Sequence, residues 1–272
     1  MSKKILITGA SRGFGKLWAQ GLLNNGHQVA VTARNVNDLD DLVHQYGDSV
    51  FPLQLDVNDR DACFLAINKV HEHFGAIDVL VNNAGYGLFG AIEETTEAQA
   101  HMQMETNFFG LLWLTQAVLP VMRAQKSGHI VQVSSILGLV TLPVLGLYNA
   151  SKFAVEGLSE TLASEVKDFG INVTMIEPNG FSTDWSGASS VQTDASETYE
   201  PLKKAFNESL TPDIWGKPEA TVKAVVNMIE SESPPLRLLL GKMAHPFITS
   251  VYEQRVKSWN DFKEISDAAH GA

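Results

Sequence analysis

The fold is decided by the stretch Lys4-Ile5-Leu6-Ile7-Thr8-Gly9-Ala10-Ser11-Arg12-Gly13-Phe14-Gly15, in which an apolar run meets three closely spaced glycines. A helical segment follows at 14–25, and Gly26 suits its end, where a positive φ is usual. The stretch therefore predicts a strand, a tight turn and a helix in succession. Because free N–H groups at the start of such a helix attract phosphate, the turn indicates nucleotide binding.

The same alternation continues along the chain. We predict strands at 4–8, 28–32, 50–55, 77–81, 129–133, 171–176 and 236–240, and helices near 14–25, 60–74, 98–125, 149–168 and 219–231. Strands this apolar, without polar alternation, are buried on both faces, as in a parallel sheet. The expected fold is α/β: a doubly wound, Rossmann-type parallel sheet of about seven strands with helices on both faces.

The domain organisation follows from length and composition. A chain of 272 residues that is 44% apolar can bury one large core. No repeat, low-complexity tract or linker-like change in composition divides it, so we predict a single domain over residues 1–272. The segment 182–212 departs from the pattern because it is rich in Ser, Thr, Glu and Asp. We expect a substrate loop or lid at about 182–215.

Charge and composition narrow the class of partner. Lys and Arg number 20 against 31 Asp and Glu, a formal charge of −11, which speaks against nucleic acid or an anionic membrane as a partner. The apolar stretches 108–122 and 136–147 are shorter than the roughly 20 residues of a spanning helix. With no export signal visible, we expect a soluble, cytoplasmic protein. Cys63 is expected to be a core residue, and the histidines show no metal-ligand spacing.

The spacing of Gly9, Gly13 and Gly15, with Thr8 before them, reads TGxxxGxG. It resembles the short-chain dehydrogenase/reductase family. The resemblance covers essentially the first 185 residues through further motifs in the family's order: Asn82-Asn83-Ala84-Gly85, Asn107, Ser135, Tyr148-x-x-x-Lys152 and 178–183. It implies an NADP-preferring carbonyl reductase, or a member similar to hydroxysteroid or retinol dehydrogenases.

The choice of dinucleotide follows from charge at the end of the second strand. An acidic side chain there would bond the ribose hydroxyls of NAD and repel an additional phosphate. This chain has Ala33 at that point, followed by Arg34, while Arg12 lies in the glycine turn. Two guanidinium groups could clamp a 2′-phosphate, so we expect NADP(H) rather than NAD. The alternative is that both arginines are solvated surface charges.

A second motif carries the chemistry. Tyr148 and Lys152 are four residues apart and so share one face of a helix, where the ammonium is expected to lower the pKa of the phenol. Ser135 precedes Tyr148 by 13 residues, the family's interval, at the end of a buried strand. The resemblance makes Asn107, Ser135, Tyr148 and Lys152 the catalytic residues.

The resemblance also implies the mechanism. The nicotinamide delivers hydride to the carbonyl carbon while Ser135 hydrogen-bonds the oxygen and Tyr148 donates a proton to it. Lys152 contacts the nicotinamide ribose, and the proton is replaced through Lys152, the ribose hydroxyl and a water held at Asn107. Oxidation of an alcohol is the same path reversed.

The resemblance further implies a set of cofactor-binding residues, which lie in the glycine turn, at the ends of the following strands and in the active-site motif. They are Gly9, Ser11, Arg12, Gly13, Phe14, Gly15, Arg34, Asp56, Val57, Asn83, Ala84, Gly85, Tyr148, Lys152, Pro178, Gly180, Phe181 and Thr183. One departure stands among them: Asn179 follows Pro178 where the family usually has glycine. Asn tolerates a positive φ better than most residues, so we expect the turn to survive.

The substrate is expected to be an apolar carbonyl or alcohol compound, because the segment 136–147 has no charge and Thr141 as its only polar side chain. Phe181, Trp185 and Trp215 flank the variable loop, where they either line the substrate pocket or anchor the loop. Sequence does not decide between these two roles.

Assembly and function leave alternatives open. The family's dimers and tetramers pack through the two helices that here carry Phe108, Leu112, Phe153 and Leu158, so the resemblance implies a homodimer or homotetramer.

Two other functions share the fold: a regulator that senses NADP without turnover, and a dehydratase or epimerase. The complete catalytic set disfavours the first and the chain length disfavours the second.

Overall fold

A computed structural model describes residues 2–187, 189–194 and 196–271. Its strands are β1 (Lys4–Ile7), β2 (Gln28–Ala33), β3 (Val50–Gln54), β4 (Val79–Asn82), β5 (Leu88–Phe89), β6 (Gly128–Val133), β7 (Ile171–Pro178), β8 (Val191–Gln192) and β9 (Arg237–Leu240). Seven of them form one parallel sheet in the order β3-β2-β1-β4-β6-β7-β9, and β5 pairs separately with β8. The predicted sheet is confirmed.

Helices connect the strands. They are α1 (Gly13–Asn24), α2 (Asp40–Tyr46), α3 (Arg60–Phe74), α4 (Glu97–Met104), α5 (Gly110–Gln125), α6 (Gly146–Val166), α7 (Glu200–Ser209), α8 (Thr221–Glu230), α9 (Ala244–Asp261) and α10 (Lys263–Ala268). A π-helical segment, Glu105–Phe109, joins α4 to α5, so the helix predicted over 98–125 is continuous but contains a bulge. Such bulges are frequent at functional sites.

Both faces of the sheet are covered, which explains why its strands are apolar throughout. On β1, Ile5 and Ile7 pack into a core with Trp18 of α1 and Val225 of α8. Leu6, between them, points to the other face and packs with side chains of α3 and α5. These three side chains are fully buried. The alternation of side chains across a strand therefore supplies two separate cores.

The chain order along the sheet reverses beside β1. From β1 the sheet proceeds through β2 and β3 in one direction and through β4, β6, β7 and β9 in the other. In an open α/β sheet, ligands bind where the carboxyl ends of the strands meet such a reversal. The glycine turn leaves β1 at this point, and the segment after β4 leaves beside it.

Three further features bear on the sequence analysis: membrane-spanning helices, groups of metal-ligating side chains, and Cys63. Within the described part of the chain, no helix is long and apolar enough to cross a membrane, and no group of three His, Cys, Asp or Glu side chains is arranged to hold a metal ion. Cys63 is fully buried, and burial raises the pKa of its thiol to about 12. It is a core residue, as expected.

Candidate active site

A cavity of about 660 Å³ opens at the carboxyl ends of β1 and β4, where the sheet order reverses. Most of the residues that the sequence assigned to the site line it. They are Gly9, Ser11, Arg12, Gly13, Phe14, Arg34, Asp56, Val57, Asn83, Ala84, Gly85, Ser135, Tyr148, Lys152, Pro178, Gly180, Phe181 and Thr183. The structure therefore brings together motifs that are spread over about 175 residues of sequence.

Two assigned residues, Gly15 and Asn107, do not line the cavity. Gly15 lies under the glycine turn, where an added Cβ would be 2.4 Å from the Gly9 carbonyl oxygen and 2.5 Å from Nδ2 of Asn83. Glycine is required at this position for close packing. By contrast, Gly9 and Gly13 have φ values of 65° and 54°, a backbone region that side chains disfavour.

Hydrogen bonds from Thr8 and Asn83 fix the glycine turn to the segment after β4. The Thr8 hydroxyl accepts the backbone N–H groups of Asn83 and Ala84, both at 3.0 Å. In return, Nδ2 of Asn83 donates to the carbonyl oxygens of Thr8 and Gly9 at 2.9 and 3.0 Å. The ends of two neighbouring strands are thereby joined through side chains at the mouth of the cavity.

The start of α1 is suited to a pyrophosphate. Arg12 precedes the helix in an extended conformation, no side chain caps the first turn, and that turn contains no acidic residue. The backbone N–H groups of the first turn thus remain available to an anion at the cavity, where the helix dipole also favours negative charge. The residues present fit a dinucleotide phosphate.

The charges at the end of β2 are those that the sequence indicated. Arg12 and Arg34 both line the cavity with exposed side chains, and among the described residues neither forms an ion pair. Ala33 is buried at the strand end, so no carboxylate occupies the place between them. Asp56 lies just beyond the end of the neighbouring strand β3 and accepts the backbone N–H of Asn58 at 3.0 Å.

Tyr148 and Lys152 occupy successive turns of α6 and are both buried. The Lys152 ammonium donates to the Val133 carbonyl oxygen at 2.8 Å and lies 5.7 Å from the centre of the Tyr148 ring. Ser135 follows β6, and its hydroxyl accepts the N–H of Leu137 at 3.1 Å. Three ionisable or polar groups therefore converge at the inner end of the cavity.

The expected lowering of the Tyr148 pKa is wrong for this structure. Burial raises the pKa of the phenol above its ordinary value, and only a hydrogen bond with Ser135 opposes the shift. Burial also lowers the pKa of Lys152 to about 8, partly offset by the carboxylate of Glu156. Helical spacing indicated the proximity of the two groups but not their loss of water, which is the larger effect.

Asn107 lies in the π-helical segment, and its side chain forms hydrogen bonds with other residues of the protein. Its amide nitrogen donates to the Tyr86 carbonyl oxygen at 3.0 Å and to the Ser151 hydroxyl at 3.2 Å. Its amide oxygen accepts the Tyr86 N–H at 3.0 Å. A Cβ added at Gly85 would be 3.1 Å from that oxygen and 3.9 Å from the Lys152 ammonium. Asn107 therefore ties the segment after β4 to the helix that carries Lys152.

The three loop aromatic residues all line the cavity and also hold the loop. Trp185 lies against Tyr148 with ring centres 4.8 Å apart. Phe181 meets the Phe14 ring edge to face at 5.3 Å, and Trp215 covers Gly180, where an added Cβ would be 3.3 Å from its ring. The two roles that the sequence left open are therefore combined.

Sequence reasoning missed several apolar residues of the cavity wall. Phe89 of β5 touches Trp185, with ring centres 5.3 Å apart, and further apolar side chains come from the loop and the last helices. These further residues are Val191, Phe206, Leu210, Met243 and Phe247. No local signal could have found them because they belong to separate elements with no motif in common.

Asn179 does not use the positive φ that was expected to preserve its turn. Its backbone N–H instead donates to the Leu240 carbonyl oxygen at 2.9 Å, and its amide nitrogen donates to the carbonyl oxygens of Gly180 and Ile214 at 2.9 and 3.0 Å. The side chain thus joins the end of β7 to the segment that carries Trp215. Glycine could not make this bridge.

Comparison with known proteins agrees with this geometry. A family model described as short chain dehydrogenase matches residues 3–194. The chain belongs to the short-chain dehydrogenase family. Oxidoreductase BOA17 of Botryotinia fuckeliana is 41% identical over 99% of this chain and 100% of its own length. The 3-ketodihydrosphingosine reductase of Bacteroides thetaiotaomicron is 37% identical over 94% of this chain and 92% of its own.

Solved structures give the same assignment. A short-chain dehydrogenase from Streptomyces avermitilis superposes with a TM-score of 0.91 at 35% identity, covering 98% of both chains. ElxO, solved with NADP bound, superposes with a TM-score of 0.74 at 28% identity over 88% of this chain and 97% of its own. This short-chain dehydrogenase is therefore an oxidoreductase that acts on CH–OH or C=O groups.

An ionic cluster lies between the sheet and the active-site helix of this dehydrogenase, with two of its carboxylates, Glu156 and Glu177, buried. Arg237 of β9 donates to Glu177 of β7 at 2.7 Å, to Glu160 of α6 at 2.9 Å and also to Glu156 of α6. Glu156 lies one turn beyond Lys152. Burial raises the pKa of Glu177 to about 7, and the neighbouring Glu156 carboxylate adds to the shift. The cluster thus joins the sheet to α6 directly below Lys152.

The cluster gives a pH-dependent prediction for Glu177→Gln. Folding raises the pKa of Glu177 from 4.5 to about 7, so the folded wild type binds more protons than the unfolded chain in this range and loses stability as the pH rises. The glutamine side chain of the variant does not ionise, so the variant does not lose stability in this way. We therefore expect its melting temperature relative to wild type to increase between about pH 5 and pH 8.

Thermal unfolding of both proteins across this range measures the effect. Glu160→Gln is the matched control, because Glu160 belongs to the same cluster but is exposed, and it should show little dependence of this kind. If the melting temperature of Glu177→Gln falls relative to that of wild type as the pH rises, the assignment of a raised pKa to Glu177 is wrong.

Proposed function

We propose that the protein is an NADPH-dependent reductase of apolar ketones or aldehydes, which in reverse oxidises the corresponding alcohols. The observation that carries the proposal is the convergence of Ser135, Tyr148 and Lys152 at the inner end of one cavity. The same cavity is lined by the glycine turn, which is suited to a nucleotide, and by apolar side chains that include Trp185. A substrate carbonyl seated beside Tyr148 would thus have its apolar body against the Trp185 side of the cavity.

Tyr148 is proposed as the proton donor. Bound NADPH supplies the hydride from its nicotinamide ring. Because burial raises the pKa of Tyr148, the phenol is protonated at neutral pH and ready to donate to the oxygen of a carbonyl group. The Ser135 hydroxyl can hydrogen-bond the same oxygen and stabilise charge that develops on it. Oxidation of an alcohol uses the same groups in reverse.

Lys152 and Asn107 are proposed to support proton transfer. With its pKa near 8, Lys152 can gain and lose a proton around neutral pH more readily than an ordinary lysine. Its ammonium lies near Gly85 at the cavity, a place from which it can hold the ribose next to the nicotinamide. Asn107 fixes the backbone of Tyr86 and the Ser151 hydroxyl, and so positions the helix that carries Lys152.

The preference for NADP over NAD is proposed from charge. Arg12 and Arg34 border the cavity without carboxylate partners among the described residues, and Ala33 provides no acid to bind ribose hydroxyls. Two guanidinium groups in this position favour a 2′-phosphate. ElxO, a structural neighbour, binds NADP, which agrees with the proposal without deciding it for this chain.

Turnover is favoured over the other two functions on the same fold. A sensor of NADP needs no buried proton donor, whereas Tyr148, Lys152 and Ser135 are held together at the cavity. One relative is named 3-ketodihydrosphingosine reductase, and the match to it covers 94% of this chain. A dehydratase or epimerase would show no net consumption of NADPH, which separates it from a reductase in the experiment below.

We also propose the broader organisation of the protein. Residues 1–272 form one domain in which 182–215 is the substrate lid, and the protein works in the cytoplasm, where its one cysteine needs no partner. A homodimer or homotetramer is supported by Phe153 on the outer face of α6, whose ring is 37% exposed in the single chain. Gel filtration with light scattering measures the assembly.

Substitution Tyr148→Phe tests the proposed reaction. NADPH oxidation with a panel of ketones and aldehydes is expected to fall roughly 10²–10⁴-fold, because the proton donor is lost. NADPH binding should persist, since the glycine turn, Arg34 and Lys152 are unchanged. Tyr252→Phe, on the exposed face of α9, is the control and should retain activity. Full turnover by Tyr148→Phe would exclude Tyr148 as the donor.

Substitution Arg34→Ala tests the proposed cofactor preference. Loss of a charge-assisted bond to the 2′-phosphate should weaken NADPH binding about tenfold or more while NADH binding changes little. Equilibrium titration with each dinucleotide gives the ratio of affinities. Arg123→Ala, an exposed arginine of α5, controls for the change in net charge. An unchanged NADPH-to-NADH affinity ratio would show that Arg34 does not select the cofactor.

A further inference from the structure

One carboxylate outside the described catalytic set has an unusual number of donors. Glu94 ends a short 3₁₀ helix, Ile92–Glu94, just after β5, and its side chain is only 3% exposed. One oxygen accepts the backbone N–H of Ala91 at 2.8 Å and the Thr193 hydroxyl at 3.1 Å. The other accepts the backbone N–H of Ser196 and the Lys203 ammonium, both at 2.8 Å.

Three of these four donors belong to the substrate lid. Thr193 follows β8, Ser196 precedes α7, and Lys203 is within α7. The lid is therefore tied to the body of the protein through one buried side chain. Hydrogen bonds from Lys203 and the other donors hold the pKa of Glu94 down to about 2, so the carboxylate is charged throughout the neutral range.

The same part of the lid supplies the outer wall of the cavity. Val191, Phe206 and Leu210 all line it, and Phe206 is buried. Phe206 follows Lys203 by three residues on α7, so the two side chains are neighbours on one face of the helix. Fixing the Lys203 ammonium on Glu94 therefore fixes the direction in which Phe206 enters the cavity.

Close backbone packing reinforces the position of the lid. The N–H groups of Val191 and Thr193 donate to the carbonyl oxygens of Gly87 and Phe89, each at 2.9 Å. A Cβ added at Gly90 would be 2.0 Å from the Thr193 hydroxyl oxygen. The strand that carries Phe89, and through it the ring of Trp185 beside Tyr148, is thus in contact with the segment that Glu94 holds.

We propose that Glu94 is a positioning residue that selects for substrate size and shape, by holding the lid segment 191–210 so that Val191, Phe206 and Leu210 form a fixed apolar wall. The proposal rests on the proposed reductase function for the identity of the ligand. Glu94 bonds no residue of the glycine turn or of the end of β2. It therefore acts on binding of the substrate's apolar body and not on binding of NADPH.

The test compares Glu94→Gln with wild type. Gln keeps the shape of the side chain but removes the charge and replaces one of the two acceptor oxygens with an NH₂ donor. Lys203, only 16% exposed, therefore loses its ionic partner, and two of the four donors lose their acceptor. With NADPH bound, we expect faster amide hydrogen exchange in peptides from 191–210 and unchanged exchange in β1 and β4. For a bulky apolar ketone, KM should rise about tenfold or more, while kcat and the NADPH dissociation constant stay the same.

The rise in KM should depend on the size of the ketone, which would not be so if Glu94 only stabilised the fold. A ketone too small to reach Phe206 should show a much smaller rise in KM than the bulky one. Lys203→Gln removes the charged donor from this contact and should raise KM for the bulky ketone in the same direction. The double variant should have less effect than the two single variants combined, because the two residues contact each other. Glu97→Gln is the matched control: Glu97 is 92% exposed, and among the described residues its one ionic contact is with His101, at 3.8 Å.

Two results would overturn the proposal. The first is unchanged lid exchange and unchanged KM in Glu94→Gln. The second is a loss of NADPH affinity as large as the loss for the ketone, which would make Glu94 a support of the whole fold. Failure of wild type to turn over any carbonyl compound would instead contradict the proposed function, and hydrogen exchange would still decide whether Glu94 holds the lid.

Discussion

The mutual hydrogen bonding of Thr8 and Asn83 is the interaction on which the rest of the site depends. It joins the turn after β1 to the segment after β4, at the point where the order of the sheet reverses. Gly15 can lie beneath it only because it has no side chain. Once these two strand ends are fixed together, the start of α1 faces the cavity with its N–H groups free, and Gly85 is held close to Lys152.

Burial sets the chemistry of the active site. Loss of water raises the pKa of Tyr148 and lowers that of Lys152, so the phenol keeps its proton while the ammonium releases its own more easily. This differs from a simple pairing in which a lysine lowers the pKa of its neighbour. The ionic cluster of Arg237, Glu156 and Glu177 below α6 keeps negative charge near Lys152 and opposes part of its shift.

The sequence predicted the seven-stranded sheet, the glycine turn and the convergence of the motifs, because each depends on local pattern or on the strand-end rule for parallel sheets. The lid was expected only as a polar region. Its structure depends on pairing between β5 and β8, two residues each, and on contacts of Glu94 with residues about a hundred positions away. Neither the short strand pair nor these contacts produce a periodic pattern of apolar residues in the sequence. The pKa of Tyr148 was misjudged because spacing reports proximity and not burial.

We infer that this dehydrogenase passes hydride from NADPH to a carbonyl carbon. The most direct measurement uses NADPH labelled with deuterium at the transferring position of the nicotinamide, with mass spectrometry and NMR of the product from an apolar ketone. We expect one deuterium on the new alcohol carbon for each NADPH oxidised. Product that forms without deuterium on that carbon, or without net oxidation of NADPH, would contradict it.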